Sequence, residues 1–340
     1  MFDYLTISNF RGLSKVNIQP LSRINLIAGT NDVGKTAVLE AIYLLFSSDK
    51  LLQFPTAFRP SVRDQQNNDF WYWLFPERDL QKTAQIEIGK INGQDDLSWD
   101  FRTSVRLDSP TRPEDFRDFV VSYDKAGPNG TVQNLGRWSG RPGASWSGVG
   151  NINHPCTIAF SINDLSPENV ADAYNEVVKM KEGESKMESR MRHLEVRLNR
   201  LRYLKMRTAP EVYADLGFEQ LVPVTQFGSA FYRLLTIFSG ALAKRAKILL
   251  IDEIENSLHY STFTEIWSEF AKIAQEEEMQ IFATTHSEEC IRGAHQAMSE
   301  RSSYELAVHR VQRLKGGITE VVTHNREMLA ASFDTGLPVR

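Results

Sequence analysis

The sequence predicts an α/β fold, because apolar strand patterns lead directly into polar loops that are followed by helical patterns. The run 24–28 enters Gly-x-x-x-x-Gly-Lys-Thr, and apolar residues with helical spacing follow at once. The run 247–251 ends in two carboxylates, as expected where a parallel strand meets a site at its carboxyl end. With 340 residues, of which 41% are apolar, the chain can form a full core in one large domain or two ordinary domains.

Composition narrows the classes of protein to which the chain can belong. Its formal net charge is −4, so any contact with nucleic acid must come from a local basic patch. Cys156 and Cys290 lack the spacing of metal ligands and are expected in the core, as in a reducing compartment. The sequence begins without the pattern of a secretory signal, and no apolar run approaches the roughly 18 residues of a membrane helix. We therefore expect a cytoplasmic protein without a membrane partner.

The motif after the first apolar run has the spacing of a phosphate-binding loop, or P-loop. Glycines at Gly29 and Gly34 let backbone N–H groups approach a pyrophosphate, and the following helix presents its positive N-terminus to the anion. Lys35 can reach the β- and γ-phosphates, and the Thr36 hydroxyl can take one site on Mg²⁺. The residues predicted to bind the nucleotide are Gly29, Thr30, Asn31, Asp32, Val33, Gly34, Lys35, Thr36 and Ala37.

The two carboxylates after the second apolar run complete the predicted catalytic site. Asp252 is expected to hold Mg²⁺ through water or the Thr36 hydroxyl, and Glu253 is expected to polarise the attacking water. Two acidic residues at this point could instead mark only the start of a helix, but their combination with the P-loop favours catalysis. ATP and Mg²⁺ are therefore the expected cofactors.

Two further features identify a family. An Asn-Phe-Arg-Gly turn at 9–12 lies between the strand patterns 4–10 and 15–18, and Asn31 lies inside the P-loop. This combination resembles the RecF/SMC/OLD branch of the ABC-type ATPases and is most similar to the OLD-like ATPases of bacterial anti-phage defence operons. The resemblance implies an ABC-type P-loop NTPase head with a mixed central sheet, an N-terminal antiparallel β lobe and a helical lobe. It also adds Arg11 to the nucleotide-binding residues.

The resemblance assigns roles to two later segments. Gly228 and Ser229 precede a helical pattern in the position of the family's signature loop, which contacts the γ-phosphate held by another protomer. Ala230 stands where that loop usually has glycine. The apolar run 279–285 leads into His286 and resembles the switch-histidine element, so His286 is expected to hydrogen-bond the γ-phosphate and to act in catalysis.

The chain is interpreted as a single head in four segments. The segments are the N-terminal strands and P-loop at 1–48, a β-rich lobe at 49–160, a helical insertion at 161–220, and the signature, acidic and switch-histidine lobe at 221–340. Long loops are expected at 127–150, where Arg137, Trp138, Arg141 and Trp146 could stack nucleic-acid bases. A loop folded on its own tryptophans is the favoured alternative. The family's glutamine-bearing loop is not placed, and the candidates are Gln65, Gln66 and residues near Phe160.

Residues 168–207 predict two helices broken near Gly183, with the second at roughly 186–205. Leucines recur every three or four residues along that second helix, and arginines surround them. A solvated charged face is the default interpretation, and contact with a polyanion or an acidic partner is the alternative. This segment is far too short for the coiled-coil arm of an SMC protein. The candidate polyanion contacts are Arg190, Arg197, Arg200 and Arg202.

The last segment predicts a hairpin that turns near 315–317 and a short helix near 325–332, without the Toprim domain of OLD nucleases. The resemblance implies a slow ATPase that assembles head to tail as a homodimer or a larger oligomer. It further implies a sensor or regulator in an anti-phage system that controls a separately encoded effector, such as a Toprim or HNH nuclease. A RecF-like DNA-repair ATPase and a non-hydrolysing scaffold are alternatives, so DNA remains a candidate partner. An ABC transporter subunit is the least favoured interpretation.

Overall fold

A computed structural model describes residues 1–46, 54–58, 73–79, 82–89, 101–107, 119–126, 132–140, 146–150, 157–160, 166–205, 209–314 and 318–339. The strands are β1 Tyr4–Phe10, β2 Leu13–Ile18, β3 Ile24–Ala28, β4 Ala84–Gly89, β5 Phe101–Leu107, β6 Phe119–Ala126, β7 Val132–Gly140, β8 Trp146–Gly150, β9 Thr157–Phe160, β10 Arg200–Lys205, β11 Pro210–Asp215, β12 Val222–Pro223, β13 Ile248–Ile251, β14 Gln280–Thr285, β15 Leu306–Arg313 and β16 Thr319–His324. The α-helices are α1 Lys35–Leu45, α2 Phe54–Ala57, α3 Pro167–Val178, α4 Gly183–Met191, α5 Ser229–Ala243, α6 Phe263–Glu276, α7 Glu288–Ser299 and α8 Arg326–Thr335.

The central sheet is mixed, as predicted. Its six strands lie in the order β16-β15-β3-β14-β13-β9, and all neighbours are parallel except the β15–β16 hairpin. β3 and β13 are buried along their whole length, which is typical of inner parallel strands that are covered on both faces. Because the strands are parallel, the carboxyl ends of β3, β13 and β14 meet at one edge of the sheet.

Two hydrophobic cores lie on opposite faces of this sheet, because successive side chains of a strand point to opposite sides. Leu249 and Ile251 contribute to the core that contains most of α5, α6 and α7. Ile248 and Leu250 contribute to the other core, which contains α1 and the N-terminal strands. The central sheet therefore has α1, the helix that follows the P-loop, on one face and α5 on the other.

The N-terminal lobe is an antiparallel sheet of seven strands in the order β2-β1-β4-β5-β6-β7-β8. The strands predicted at 4–10 and 15–18 are present as β1 and β2, and β4 to β9 lie in the segment predicted to be β-rich. The long loops expected at 127–150 are wrong, because β7 and β8 run through most of this segment and pair with each other and with β6. Trp138 and Trp146 lie on these two strands, whereas Arg141 lies outside the described residues.

The second helix predicted at 186–205 is also wrong. α4 ends at Met191, and residues 200–205 form β10, which pairs with β11 in a small three-stranded sheet. Leu201 is buried while its neighbour Arg200 is exposed, as in a strand, where successive side chains point to opposite faces. The spacing of the leucines had instead suggested the helical period of about 3.6 residues. The carboxylate of Glu188 accepts a hydrogen bond from the Leu201 N–H at 2.9 Å, so α4 fixes the edge of this sheet.

The structure confirms two smaller predictions, the burial of Cys290 and the helix near 325–332. Cys290 is buried, as predicted, whereas Cys156, Gln65, Gln66 and the turn at 315–317 lie outside the described residues. The helix expected near 325–332 is present as α8. Over the described ranges, the helices lack the combination of length and apolar character that crossing a bilayer requires.

Candidate nucleotide-binding site

The P-loop joins the carboxyl end of β3 to the first residue of α1. Gly29 and Gly34 have φ angles of 153° and 102°, which L side chains rarely adopt. A Cβ at Gly29 would lie 2.5 Å from the Val311 carbonyl oxygen, and a Cβ at Gly34 would lie 2.7 Å from Cδ2 of Leu13. The two glycines are therefore required by the packing of β15 and β2 against the loop, before any ligand is considered.

The amino end of α1 is open to solvent at the tip of this loop. Thr30, Asn31 and Asp32 are exposed, and the helix N-cap is Gly34, which has no side chain to accept a hydrogen bond. The first turn also carries no acidic residue. Free N–H groups and the positive end of the helix dipole together form an anion-binding site, so the loop fits a phosphate group.

Lys35 lies folded into the loop that precedes it. Its ammonium donates to the carbonyl oxygens of Gly29 at 2.9 Å and Thr30 at 2.7 Å, and the residue is only 9% exposed. Burial lowers the pKa of Lys35, and the negative charges of Glu255, Asp252, Glu253 and Asp32 oppose that shift. A cation is thus held beside the helix N-terminus, where phosphate oxygens would replace the carbonyls.

Asp252 lies at the meeting point of three elements. The Thr36 hydroxyl of α1 is 3.1 and 3.2 Å from its two carboxylate oxygens, and the Thr284 hydroxyl of β14 donates to Oδ1 at 2.6 Å. Burial raises the pKa of Asp252, and the hydrogen bonds from Thr284 and Thr36 oppose the rise. A hydroxyl and a carboxylate this close supply the hard oxygen ligands that Mg²⁺ prefers, so the residues fit the predicted cation.

A tight turn carries Glu253 immediately after Asp252. Glu253 has a φ of 48°, its N–H donates to the Thr284 hydroxyl at 2.7 Å, and its carboxylate accepts from the Asn256 amide at 2.6 Å. Sequence analysis missed Thr284 and Asn256. Thr284 lies within Thr-Thr-His-Ser, so its position two residues before His286 was the available signal.

Arg233 of α5 hydrogen-bonds the backbone of the same turn, and sequence analysis did not single it out. Its guanidinium is 4% exposed and donates to the backbone oxygens of Asp252 at 2.8 Å, Glu253 at 2.9 Å and Asn256 at 3.0 Å. Burial lowers the pKa of Arg233, and the surrounding carboxylates oppose that shift. A single arginine within the apolar pattern of 231–238 was the sequence signal.

His286 follows the carboxyl end of β14 and is half exposed. Its Nδ1 lies 2.7 Å from Oε1 of Glu255, and its backbone N–H donates to the same oxygen at 2.6 Å. β13 and β14 are parallel neighbours, so His286 and the acidic pair lie at the same edge of the sheet. Glu255 is a further residue that sequence analysis did not single out.

Gly228 and Ser229 form the exposed amino end of α5, the helix that carries Arg233. Among the residues that the structure describes, a Cβ at Gly228 would meet no atom within 4 Å. The signature residues therefore face outward, whereas the arginine one turn later contacts the acidic turn. Their contact with nucleotide on another protomer stays a prediction.

Arg11 lies at the turn between β1 and β2 with a φ of 53°. Its Nη2 donates to Oε1 of Glu40 at 3.0 Å, and Glu40 is buried on α1. Arg11 thus ties the N-terminal lobe to the P-loop helix. Its contact with nucleotide also stays a prediction.

The four arginines proposed as a polyanion contact do not lie along one helix face. Arg190 is buried and pairs with Glu276 at 2.6 Å. Arg197 and Arg202 pair with acidic neighbours at 2.8 and 3.7 Å, and Arg200 is exposed on β10. The charge excess of the sequence is therefore partly offset by carboxylates, and Arg190 faces the interior.

A protein-family model and several relatives match the sequence of this chain. A family model described as "AAA domain, putative AbiEii toxin, Type IV TA system" matches residues 24–292. An "ATP/GTP phosphatase" of Helicobacter pylori is 22% identical over 333 residues, covering 88% of this chain and 89% of the relative. The DNA replication and repair protein RecF of Shewanella frigidimarina is 46% identical over 103 residues, which is 26% of each chain.

Solved structures agree with the fold. The crystal structure of the SmcHead bound to the C-winged helix domain of ScpA superposes with a TM-score of 0.56 at 16% identity, covering 97% of this chain and 99% of that chain. An Smc head domain with an extended coiled coil, bound to the C-terminal domain of ScpA derived from Pyrococcus furiosus, gives a TM-score of 0.51 at 13% identity and covers 99% of both chains. This likeness confirms the predicted fold, a mixed α/β head with a central sheet.

Proposed function

The chain belongs to the family described as "AAA domain, putative AbiEii toxin, Type IV TA system", and we propose that it binds ATP with Mg²⁺ and hydrolyses it slowly to ADP and phosphate. The observation that supports this most is the continuous set of contacts from Thr36 through Asp252 and Thr284 to Glu253. It unites a P-loop hydroxyl and a half-buried pair of carboxylates that lies more than 200 residues away in sequence. The similarity to the ATP/GTP phosphatase of Helicobacter pylori supports nucleotide hydrolysis.

Each side chain has a distinct task in this proposal. Lys35 exchanges the carbonyls of Gly29 and Thr30 for β- and γ-phosphate oxygens. Thr36 and Asp252 hold Mg²⁺, which when bound supplies charge neutralisation between the phosphates. Glu253 accepts a hydrogen bond from the attacking water and takes its proton, while Asn256 and Arg233 hold the glutamate turn in place.

His286 hydrogen-bonds the γ-phosphate in this proposal and senses its presence. Gly228 and Ser229 close the site on a second protomer that faces the first head to tail. The exposed amino end of α5 supports this assignment, because its N–H groups point away from their own subunit. Arg233 connects that helix to the acidic turn, so loss of the γ-phosphate would change the interface between protomers.

Phosphate release from ATP tests the catalytic proposal. The wild type should release phosphate above background, and Lys35→Ala and Glu253→Gln should each reduce kcat by about 100-fold or more. Lys15→Ala is the matched control, because Lys15 is an exposed lysine on β2. A wild type at the background rate would refute hydrolysis and favour the non-hydrolysing scaffold.

Assembly is tested by mass measurement of Glu253→Gln with ATP and without nucleotide. The proposal requires a dimer or larger oligomer only with ATP. Adding Ser229→Arg should abolish that assembly and leave ATP binding to the single protomer intact. Equal masses with and without ATP would refute the head-to-tail arrangement.

The biological role that we propose is regulation of a separately encoded effector, such as a Toprim or HNH nuclease, in a cytoplasmic anti-phage system. The family description, which refers to a toxin–antitoxin system, supports a defence context. The partial likeness to RecF favours a second candidate, an ATPase that acts on DNA in repair. Co-purification with the product of an adjacent gene would support the regulator. ATP-dependent, salt-sensitive DNA binding that is lost when Arg197, Arg200 and Arg202 become Glu would support repair instead.

A further inference from the structure

Glu255 is an unusual carboxylate, because it is buried at 9% exposure beside the acidic pair and, within the described ranges, hydrogen-bonds through one of its two oxygens. Oε1 lies within 2.7 Å of both the backbone nitrogen and the Nδ1 of His286. Among the described residues, Oε2 is buried and has no hydrogen-bond partner. Burying a half-satisfied carboxylate costs stability, so its presence at this position needs an explanation other than packing.

The contact with His286 dictates a single tautomer of the imidazole. An ionised carboxylate only accepts hydrogen bonds, so Nδ1 must carry the proton that faces Oε1. The bond from the His286 backbone N–H to the same oxygen fixes the position of the residue as well as the orientation of its ring. A carboxylate partner on one ring nitrogen sets the chemistry of the other in this way.

The electrostatic surroundings place Glu255 within the charge cluster of the site. Burial lowers the pKa of Lys35, and Glu255 is the largest of the charges that oppose this shift. Burial also lowers the pKa of Arg233, and Glu255 is again the first of the opposing charges. The carboxylate thus lies close to the P-loop lysine, the arginine of α5 and the switch histidine.

We propose that Glu255 is a positioning residue that holds His286 as the Nδ1–H tautomer and directs Nε2 to the γ-phosphate. The inference rests on the proposed role of His286 in ATP hydrolysis. Glu255 does not contact the reacting atoms in this arrangement. It acts through the histidine, by the contact between Oε1 and Nδ1.

Two substitutions test separately the hydrogen-bond acceptor oxygens and the negative charge of Glu255. Glu255→Leu removes both acceptors, so it should return His286 to a mixture of tautomers and lower kcat at least about tenfold, with KM changed by less than about twofold. Glu255→Gln keeps an acceptor oxygen without the charge, and it should retain the Nδ1–H tautomer with an intermediate kcat.

The tautomer is read from ¹⁵N chemical shifts of the seven histidines, with His286→Asn identifying the His286 signals. Glu269→Gln is the matched control, because Glu269 is a buried carboxylate 3.2 Å from Nε2 of His193 on another part of the surface. It should leave both the His286 shifts and kcat unchanged.

The two readouts distinguish the possible failures. Unchanged His286 shifts in Glu255→Leu, or a kcat within about twofold of the wild type, would overturn the positioning role. A wild type without ATPase activity would overturn the proposed function, and the ¹⁵N shifts would then still decide whether Glu255 sets the tautomer. If Glu255→Leu fails to fold, the kcat of Glu255→Gln decides, since a value equal to the wild type refutes the role of the charge.

Discussion

Replacing Thr284 with valine should destabilise the protein strongly and more so at neutral than at acid pH. The substitution keeps the shape of the side chain but removes the hydroxyl that donates to Asp252 at 2.6 Å and accepts from the Glu253 N–H at 2.7 Å. Thr284 is fully buried, so water cannot replace either bond. An unsatisfied buried group costs about 1–3 kcal/mol, so the two losses together should lower the free energy of unfolding by about 2–6 kcal/mol.

The pH dependence follows from Asp252. Burial raises the pKa of Asp252 above its ordinary value of 3.8, and the Thr284 hydrogen bond opposes the rise. A carboxyl group whose pKa is raised in the folded state lowers the free energy of unfolding of the protein as the pH increases from the unfolded-state pKa to the folded-state pKa. Removing the Thr284 hydroxyl raises the folded pKa further, so the loss of stability should be larger near pH 7 than near pH 4.

Urea unfolding at these two pH values measures the effect. Thr236→Val is the matched control, because Thr236 is also buried and its hydroxyl donates only to the Tyr232 carbonyl within the same helix, at 2.8 Å. The control should lose about 1 kcal/mol, independently of pH. A Thr284→Val protein within about 0.5 kcal/mol of the control at both pH values would refute the reasoning.

Three further substitutions test the turn and the loop. Arg233→Met leaves three backbone carbonyls and the neighbouring carboxylates without their buried cation, so urea unfolding should show a loss of about 3–5 kcal/mol. Asn256→Ala frees the Glu253 carboxylate, so kcat for ATP should fall at least about tenfold while the stability changes by only about 1 kcal/mol. Gly34→Ala places a Cβ 2.7 Å from Leu13, so titration should show that ATP binding weakens at least about tenfold.

A different result would contradict each of these three predictions. A stable Arg233→Met protein would show that the acidic turn holds itself without the guanidinium. A kcat that falls only in proportion to stability in Asn256→Ala would mean that the amide does not orient Glu253. Gly12→Ala is the control for Gly34→Ala, because its Cβ would make an ordinary contact at 3.8 Å; equal ATP binding by the two variants would refute the packing argument.

Errors in the sequence analysis have a common physical origin. The leucines at 194–204 satisfy a helical period, and nothing local shows that residues 200–205 pair with residues 210–215 as strands. Burial of Arg190 likewise depends on Glu269 and Glu276 of α6, which lie far along the chain. Periodicity reports which residues are apolar, whereas pairing partners at long separation decide between helix and strand.

The sequence by itself determined the elements whose information is local. The P-loop, the apolar strands at 24–28 and 248–251 and the acidic pair are each encoded within about ten residues, because helix and strand periods and phosphate-loop spacing act over that range. Only the tertiary structure decided which side chains meet. Thr36 and Asp252 are 216 residues apart and touch because β3 and β13 flank β14 in a parallel sheet. The same sheet edge brings Thr284 to Asp252 and His286 to Glu255, contacts that no local pattern encodes.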